Sequence, residues 1–404
     1  MSRFLSIKET LDKYNQSQLL TFWDKLSDIQ KNQLLDDIEK VNFAEVSLAA
    51  EKLISPDYPE RNNIQPVPYE VLENIPDSKR KGYEQKGMEL IEKGKVAAVL
   101  LAGGQGTRLG HNGPKGTYDI GLPGNKTLFE LQTERLLQLF NQTGKMIPWY
   151  IMTSPINDEE TKDFFHKHDF FEYDPELITF FVQPTAPTLT SEGKLMLNTK
   201  SSLSLSPNGS GGVFSALSSS GALEDMEKRG VKWIFMYNVD NAMIKIADPV
   251  FVGFADEKDS PIVSKSAAKR NPQEKVGVFC LMDGKPSVIE YSEMTSEESE
   301  HPDMMNAHIS IHLFKLNFVK EVADKPLPYH FAHKSIPTVN ERGEEIKPTE
   351  PNGYKLEQFY FDLFPKAESI AVLQVPREKE FAPVKNKTGE DSPETARAMI
   401  LLNE

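Results

Sequence analysis

The chain has 404 residues, is 39% hydrophobic and carries a formal net charge of −14. That length and apolar content support one large α/β domain with appendages around a sizeable core. The acidic balance excludes a nucleic-acid backbone or an anionic membrane as the main partner, so a phosphate site here must be a local cluster of cations in an acidic body.

Residues 1–93 read as a helical N-terminal region. Ser6-Ile-Lys-Glu9 fits a capping box, and Leu11, Tyr14, Leu19, Phe22 and Leu26 recur at helical spacing. The stretch Ser55 to Asp77 holds five prolines and no clear period, so it reads as a surface connector. Without an N-terminal apolar segment or a run of 18 or more apolar residues, the reading is a soluble, cytoplasmic protein. From Val96 strands and helices alternate. Val96 to Leu101, Ile147 to Thr153, Ile178 to Gln183 and Trp233 to Asp240 are apolar runs of strand length, and Thr127-Leu-Phe-Glu130 opens a helix that runs to about Gln142. The alternation predicts a Rossmann-like, mostly parallel sheet with helices on both faces. Ser201 to Gly221 reads as a binding loop rather than a linker, since an apolar helix-like segment and a buried strand follow it. Val276 to Met282 and Val288 to Glu293 flank Asp283-Gly284, a hairpin signal. Cys280, the single cysteine, sits in an apolar run and reads as core. The catalytic domain is expected over 94–386, with 387–404 as a short tail.

Chemistry concentrates first in Leu101-Ala-Gly-Gly-Gln-Gly-Thr-Arg-Leu-Gly110, followed by Pro114-Lys115-Gly116. Glycines let backbone N–H groups approach phosphate oxygens, and Arg108 and Lys115 add fixed charge. The segment matches neither a P-loop nor a dinucleotide fingerprint, in which the glycines are one residue closer. Asp240 ends an apolar strand at the sheet edge where open α/β sheets bind ligands, and a carboxylate there suits Mg²⁺. His308 and His312 are four apart, but Ile309, Ile311 and Leu313 alternate as in a strand, which argues against a helical zinc pair.

The loop with Pro114-Lys115-Gly116 resembles that of sugar nucleotidyltransferases, and more narrowly of the eukaryotic-type UDP-N-acetylglucosamine pyrophosphorylases. Gly121-Leu-Pro with Lys126-Thr-Leu-Phe, Phe180-Phe-Val-Gln183, Val276-Gly277-Val, Val288-Ile-Glu290-Tyr291, Pro351 to Asp362 and Val375 to Asn386 resemble further segments of that family in its order. The resemblance implies a uridylyltransferase that makes UDP-N-acetylglucosamine and pyrophosphate from UTP and N-acetylglucosamine 1-phosphate, with Mg²⁺. It implies nucleotide contacts at Leu101, Gly103, Gly104, Gln105, Gln183, Gly209 and Ser210. It implies sugar contacts at Gly277, Glu290, Tyr291, His308, Phe359 and Phe361, the two phenylalanines sharing a face if their segment is a strand. Arg108, Lys115 and Lys385 would hold phosphates and Asp240 the metal. Two positions depart from the family: Ser210 stands where an asparagine is common, and Ala307-His308-Ile309 stands where the family has Gly-Asn-Ile/Val. The family usually continues well beyond Lys385, so a reduced C-terminal part and a monomer are expected. A UDP-glucose or broad UDP-sugar pyrophosphorylase, or a nucleotide-sugar sensor without turnover, are the alternatives; the paired cations of the loop argue against a metal-dependent glycosyltransferase. The N-terminal region is expected to act as a lid or brace.

Overall fold

Val96–Leu101 is six apolar residues long and wholly buried, as a strand covered on both faces must be. In the computed structural model, which describes residues 3–55, 63–291 and 293–403, it lies within an eleven-stranded sheet. The strands on its main path are β1 (Glu70–Val71), β2 (Val96–Leu101), β3 (Trp149–Thr153), β4 (Ile178–Val182), β5 (Trp233–Asn238), β6 (Ile262–Ala268), β7 (Asn306–Lys315) and β8 (Ile370–Gln374). Their order is β1-β8-β6-β7-β5-β2-β3-β4. Every pairing on the path is parallel except those of β7, which runs antiparallel to both neighbours. The mixed, mainly parallel α/β sheet expected from the sequence is therefore present. The reversed β7 has a geometric consequence: its first residues reach the edge at which β2, β3, β4, β5 and β6 end.

The chain divides into two units. The larger one, Arg61–Gln183, Val213–Pro326 and Tyr360–Glu404, holds the sheet. One face is covered by helix Leu128–Thr143, opened by the Thr127/Glu130 capping box, and by helices Asp77–Glu92 and Pro249–Lys258. The last two cross so closely that a Cβ on Gly87 would overlap the Pro249 carbonyl, and one on Gly253 the Tyr83 carbonyl. Lys265 on β6 is 0% exposed, with Nζ 2.7 Å from Asp248 and 2.5 Å from Glu380. Burial pushes its ammonium down, but Asp248 and Glu380 outweigh burial and hold it above its usual value. Val278–Met282 and Lys285–Ile289 form a hairpin whose turn, Asp283-Gly284, has positive φ at both residues. Cys280 in that hairpin is buried and free.

The smaller unit comprises Met1–Glu60, Pro184–Gly212 and Leu327–Phe359. Its apolar core joins Ile7, Leu11, Leu19, Leu34 and Val46 to Leu189, Leu195, Leu203 and Leu356. The Gln16 side chain donates to Gly193 O at 3.1 Å and accepts from Leu195 N–H at 2.8 Å. The structure divides differently from the sequence reading: helix Asp77–Glu92 belongs to the larger unit, and the first 55 residues share their core with two distant segments.

Several local readings shift. Ser6 lies inside helix Arg3–Lys13, and the observed N-terminal capping box is Ser27/Gln30. Of the connector 55–77, residues 56–62 lie outside the described residues, and the rest contains strands Ile64–Pro66 and Glu70–Val71. The second hairpin strand ends at Ile289, leaving Glu290 and Tyr291 beyond it. Phe359 and Phe361 do not share a strand face, since Tyr360–Lys366 is a 3-10 helix. The final segment carries helix Pro393–Asn403, with Ala396 and Ile400 buried.

Candidate active site

The carboxyl ends of β2, β3, β4 and β5 lie side by side, with Leu101 paired to Met152 and Asn238, and Thr153 to Val182. Segments leaving these ends converge. The glycine loop is held in a compact shape by its own backbone: Gly106 N–H donates to Gly113 O and Lys115 N–H to Gly104 O, both at 3.0 Å. Asn157 ties the loop to the neighbouring strand end by donating to Ala102 O at 3.0 Å and Gly104 O at 3.2 Å. A Cβ on Gly103 would overlap the end of the Gln183 side chain, so the absence of a side chain at 103 lets Gln183 lie against the loop. Leu101, Gly103, Gly104, Gln105 and Gln183 are thus one cluster. The Gln105 side-chain oxygen is buried without a hydrogen-bond partner among the described residues.

Lys115 Nζ lies 3.6 Å from Asp240 Oδ2, each side chain 16% exposed. The pair joins the glycine loop to the turn after β5. A third segment is laced to that turn: Val384 N–H donates to Asp240 O at 2.9 Å, Asn241 Nδ2 donates to Glu380 O at 2.8 Å, and Ala382 N–H donates to Asn241 Oδ1 at 3.0 Å. This lacing delivers Lys385, whose own N–H donates to Asp391 O at 2.7 Å. Arg108 is exposed on a 3-10 turn, Thr107–Leu109, with no ion-pair partner among the described residues. Lys387 is a cation that the sequence reading missed. Its Nζ lies 3.6 Å from where a Cβ on Gly110 would stand, so it borders the same loop. Only its two-residue spacing from Lys385 could have signalled it.

Beside these cations is a second group of predicted residues. His308 N–H donates to Gly277 O at 2.7 Å, and Glu290 Oε1 lies 3.1 Å from the position of a Cβ on Gly277. The His308 ring faces Phe361 at 5.3 Å and Phe279 at 5.2 Å between centroids. Burial first, and then the Lys385 ammonium, push the His308 imidazole down to about 3. Lys385 thus links the two groups, its segment laced to Asp240 and its charge acting on His308. Tyr291 is exposed just past the hairpin. Gly209, Ser210 and Phe359 belong to the smaller unit. There Gly209 has φ 81° and a Cβ on it would stand 2.6 Å from Gln358 O. Gly211 N–H donates to the same carbonyl at 2.7 Å. The asparagine of this turn precedes Gly209: Asn208 Nδ2 donates to Gln358 Oε1 at 3.2 Å. The Phe359 ring lies 4.5 Å from that of His330.

A site that gathers a glycine loop, three lysines and one carboxylate at a sheet edge suits a polyphosphate. The chain is similar over most of its length to known proteins. The UTP–glucose-1-phosphate uridylyltransferase family matches residues 47–391. A probable UDP-N-acetylglucosamine pyrophosphorylase of Dictyostelium discoideum is 40% identical over 426 residues, covering 98% of this chain and 87% of its own length. UDP-N-acetylglucosamine pyrophosphorylase of Saccharomyces cerevisiae is 39% identical over 432 residues, covering 98% and 89%. The solved structure of the uridine diphosphate N-acetylglucosamine pyrophosphorylase from Trypanosoma brucei superposes with a TM-score of 0.82 at 30% identity, over 100% of this chain and 85% of that one.

Proposed function

The chain belongs to the UTP–glucose-1-phosphate uridylyltransferase family, and from that premise we propose that it makes UDP-N-acetylglucosamine and pyrophosphate from UTP and N-acetylglucosamine 1-phosphate. The observation that carries this reading is the meeting of Lys115, Asp240 and the Lys385 segment beside the glycine loop. A phosphate oxygen of the sugar 1-phosphate bonds to the α-phosphorus of UTP, the bond from that phosphorus to the β-bridging oxygen breaks, and pyrophosphate leaves with the electron pair. The nucleophile is already ionised at neutral pH, so no general base is required. The obstacle is repulsion between two anions, and catalysis consists of positioning and charge neutralisation.

Arg108 and Lys115 hold the departing pyrophosphate, and Lys385 meets the charge where the two substrates join. Gln183 takes the uracil side, the backbone of Leu101 to Gln105 contacts the nucleotide and its phosphates, and Gly209 and Ser210 the uridine; Gly277, Glu290, Tyr291, His308, Phe359 and Phe361 take the sugar. Asp240 fits Mg²⁺, a hard cation content with one carboxylate plus phosphate oxygens and water. Its side chain is partly exposed and its ion pair with Lys115 is long at 3.6 Å, which leaves its oxygens able to coordinate. When bound, Mg²⁺ would neutralise phosphate charge. A monomer working in the cytoplasm completes the reading.

The test is pyrophosphate release from UTP and Mg²⁺ with N-acetylglucosamine 1-phosphate, beside glucose 1-phosphate and N-acetylgalactosamine 1-phosphate. Preference for the first supports the reading; release with none of them overturns it. Lys115→Ala should lower kcat about 10²–10³-fold with an unchanged circular-dichroism spectrum. Near-normal turnover would remove Lys115 from its role.

A further inference from the structure

His308 stands on β7 beside three other polar side chains. Its Nε2 lies 3.1 Å from His312 Nε2 and 3.0 Å from Tyr360 Oη, and His312 Nε2 lies 2.9 Å from the same hydroxyl. His312 Nδ1 lies 2.7 Å from Ser264 Oγ. The group is buried, with His308 itself only 8% exposed. Of the four ring nitrogens, only His308 Nδ1 has no hydrogen-bond partner among the described residues. A β-bulge makes the group possible. Between Lys265/Ser266 on β6 the register with β7 slips, and Ser310 there takes φ 56°. The slip lets residues 308 and 312 both address Tyr360.

We infer that Ser264, His312 and Tyr360 form a hydrogen-bonded relay that pins His308 through Nε2 and leaves Nδ1 as the atom offered to the sugar 1-phosphate. The inference rests on the uridylyltransfer reading and names positioning residues for its sugar side. Its chemistry follows from counting protons. Each of the two neutral rings carries one, and so does each hydroxyl. In one arrangement Ser264 donates to His312 Nδ1, His312 Nε2–H donates to Tyr360, Tyr360 donates to His308 Nε2, and His308 Nδ1–H is a donor. In the other every bond reverses and His308 Nδ1 is an acceptor. Either way each bond of the relay joins one donor to one acceptor. A neutral imidazole offers one polarity at a time, whereas an asparagine amide offers both together. The reversible relay lets a histidine do the work of an amide toward a sugar substituent that donates or accepts, a hydroxyl or an acylamino group. Both rings stay neutral because burial disfavours their cations, with Lys385 adding to that effect at His308. Tyr360 also has a side-chain hydrogen bond with Ser310, and the charge of Glu290 acts on it.

The deciding experiment is steady-state kinetics of Tyr360→Phe, alone and combined with His308→Asn. The relay requires the Michaelis constant for N-acetylglucosamine 1-phosphate to rise about tenfold in Tyr360→Phe, with that for UTP within about twofold. In the His308→Asn background, where no ring needs orienting, the same change should add less than about twofold. Parallel weakening of both substrates, or an equal penalty in both backgrounds, would mean that Tyr360 only packs, and would overturn the relay. Ser264→Ala, which removes a single hydroxyl, substitutes if Tyr360→Phe fails to fold, and the same split is required of it. Ring-nitrogen NMR of the wild-type protein reads the relay without turnover. A neutral His308 at pH 6 supports it, and a protonated one overturns it. Absence of pyrophosphate release by the wild type would defeat the uridylyltransfer reading alone, and the nitrogen spectra would still judge the relay.

Discussion

His308 and His312 make the clearest case for what a single residue does to the whole energy balance. An ordinary histidine titrates near 6.5; in the fold both are pushed down, by burial first, His308 to about 3. The unfolded chain therefore binds protons that the folded chain refuses. The stability this represents is fully present above pH 6.5 and is lost as pH falls from 6.5 toward the folded values. Each ring contributes a slope of up to about 1.4 kcal/mol per pH unit. Urea denaturation at pH 7.5, 6.0 and 5.0 should show stability falling below pH 6.5, with a shallower slope in His308→Asn. An identical slope in that variant would mean His308 is protonated in the fold. At this scale a motif singled out Lys115 and Asp240, which the structure places 3.6 Å apart. The sequence was silent on Tyr360, because the side chains that define its role stand on β7, 48 and 52 positions away. Lys387 was nearly as hidden, since its spacing from Lys385 does not say which loop it borders.

Among the elements, the long buried strands were legible because an apolar run of five or six residues between polar turns has few other uses. Trp233–Asn238 and Val96–Leu101 are of this kind. Strands of two or three residues, such as Thr185–Pro187 and Ser202–Leu203, carry no period to read. Their pairing is set by contacts from elsewhere in the chain. Helix crossings were also invisible, because they depend on which small residues face one another. Gly87 and Gly253 let Asp77–Glu92 and Pro249–Lys258 approach backbone to backbone. Gly253→Ala should destabilise the protein by about 1–3 kcal/mol through overpacking, seen as a lower urea midpoint with an unchanged m-value. No shift would mean that the two helices can separate without cost.

For the molecule as a whole, the sequence indicated the fold class but not how the chain is shared between its two units. Alternation of strands and helices reveals layers; it does not reveal that residues 7–50 complete a core with Leu189, Leu195 and Leu356. A chain truncated at residue 55 would leave that core without one side. Deleting residues 1–55 should therefore give an aggregation-prone product, or one whose smaller unit melts early by hydrogen exchange. A soluble product with native protection at Leu195 and Leu356 would show that the remaining segments suffice. The three-part composition of that unit also bears on synthesis. Its first segment ends at Glu60 and its last at Phe359, so roughly 300 residues must be translated before the set is complete. At about 5–20 residues per second that is a wait of about 15–60 s. Through that interval the apolar faces of the first helices emerge on a ribosome with no native partner, and a nascent-chain chaperone would have its longest opportunity to act there.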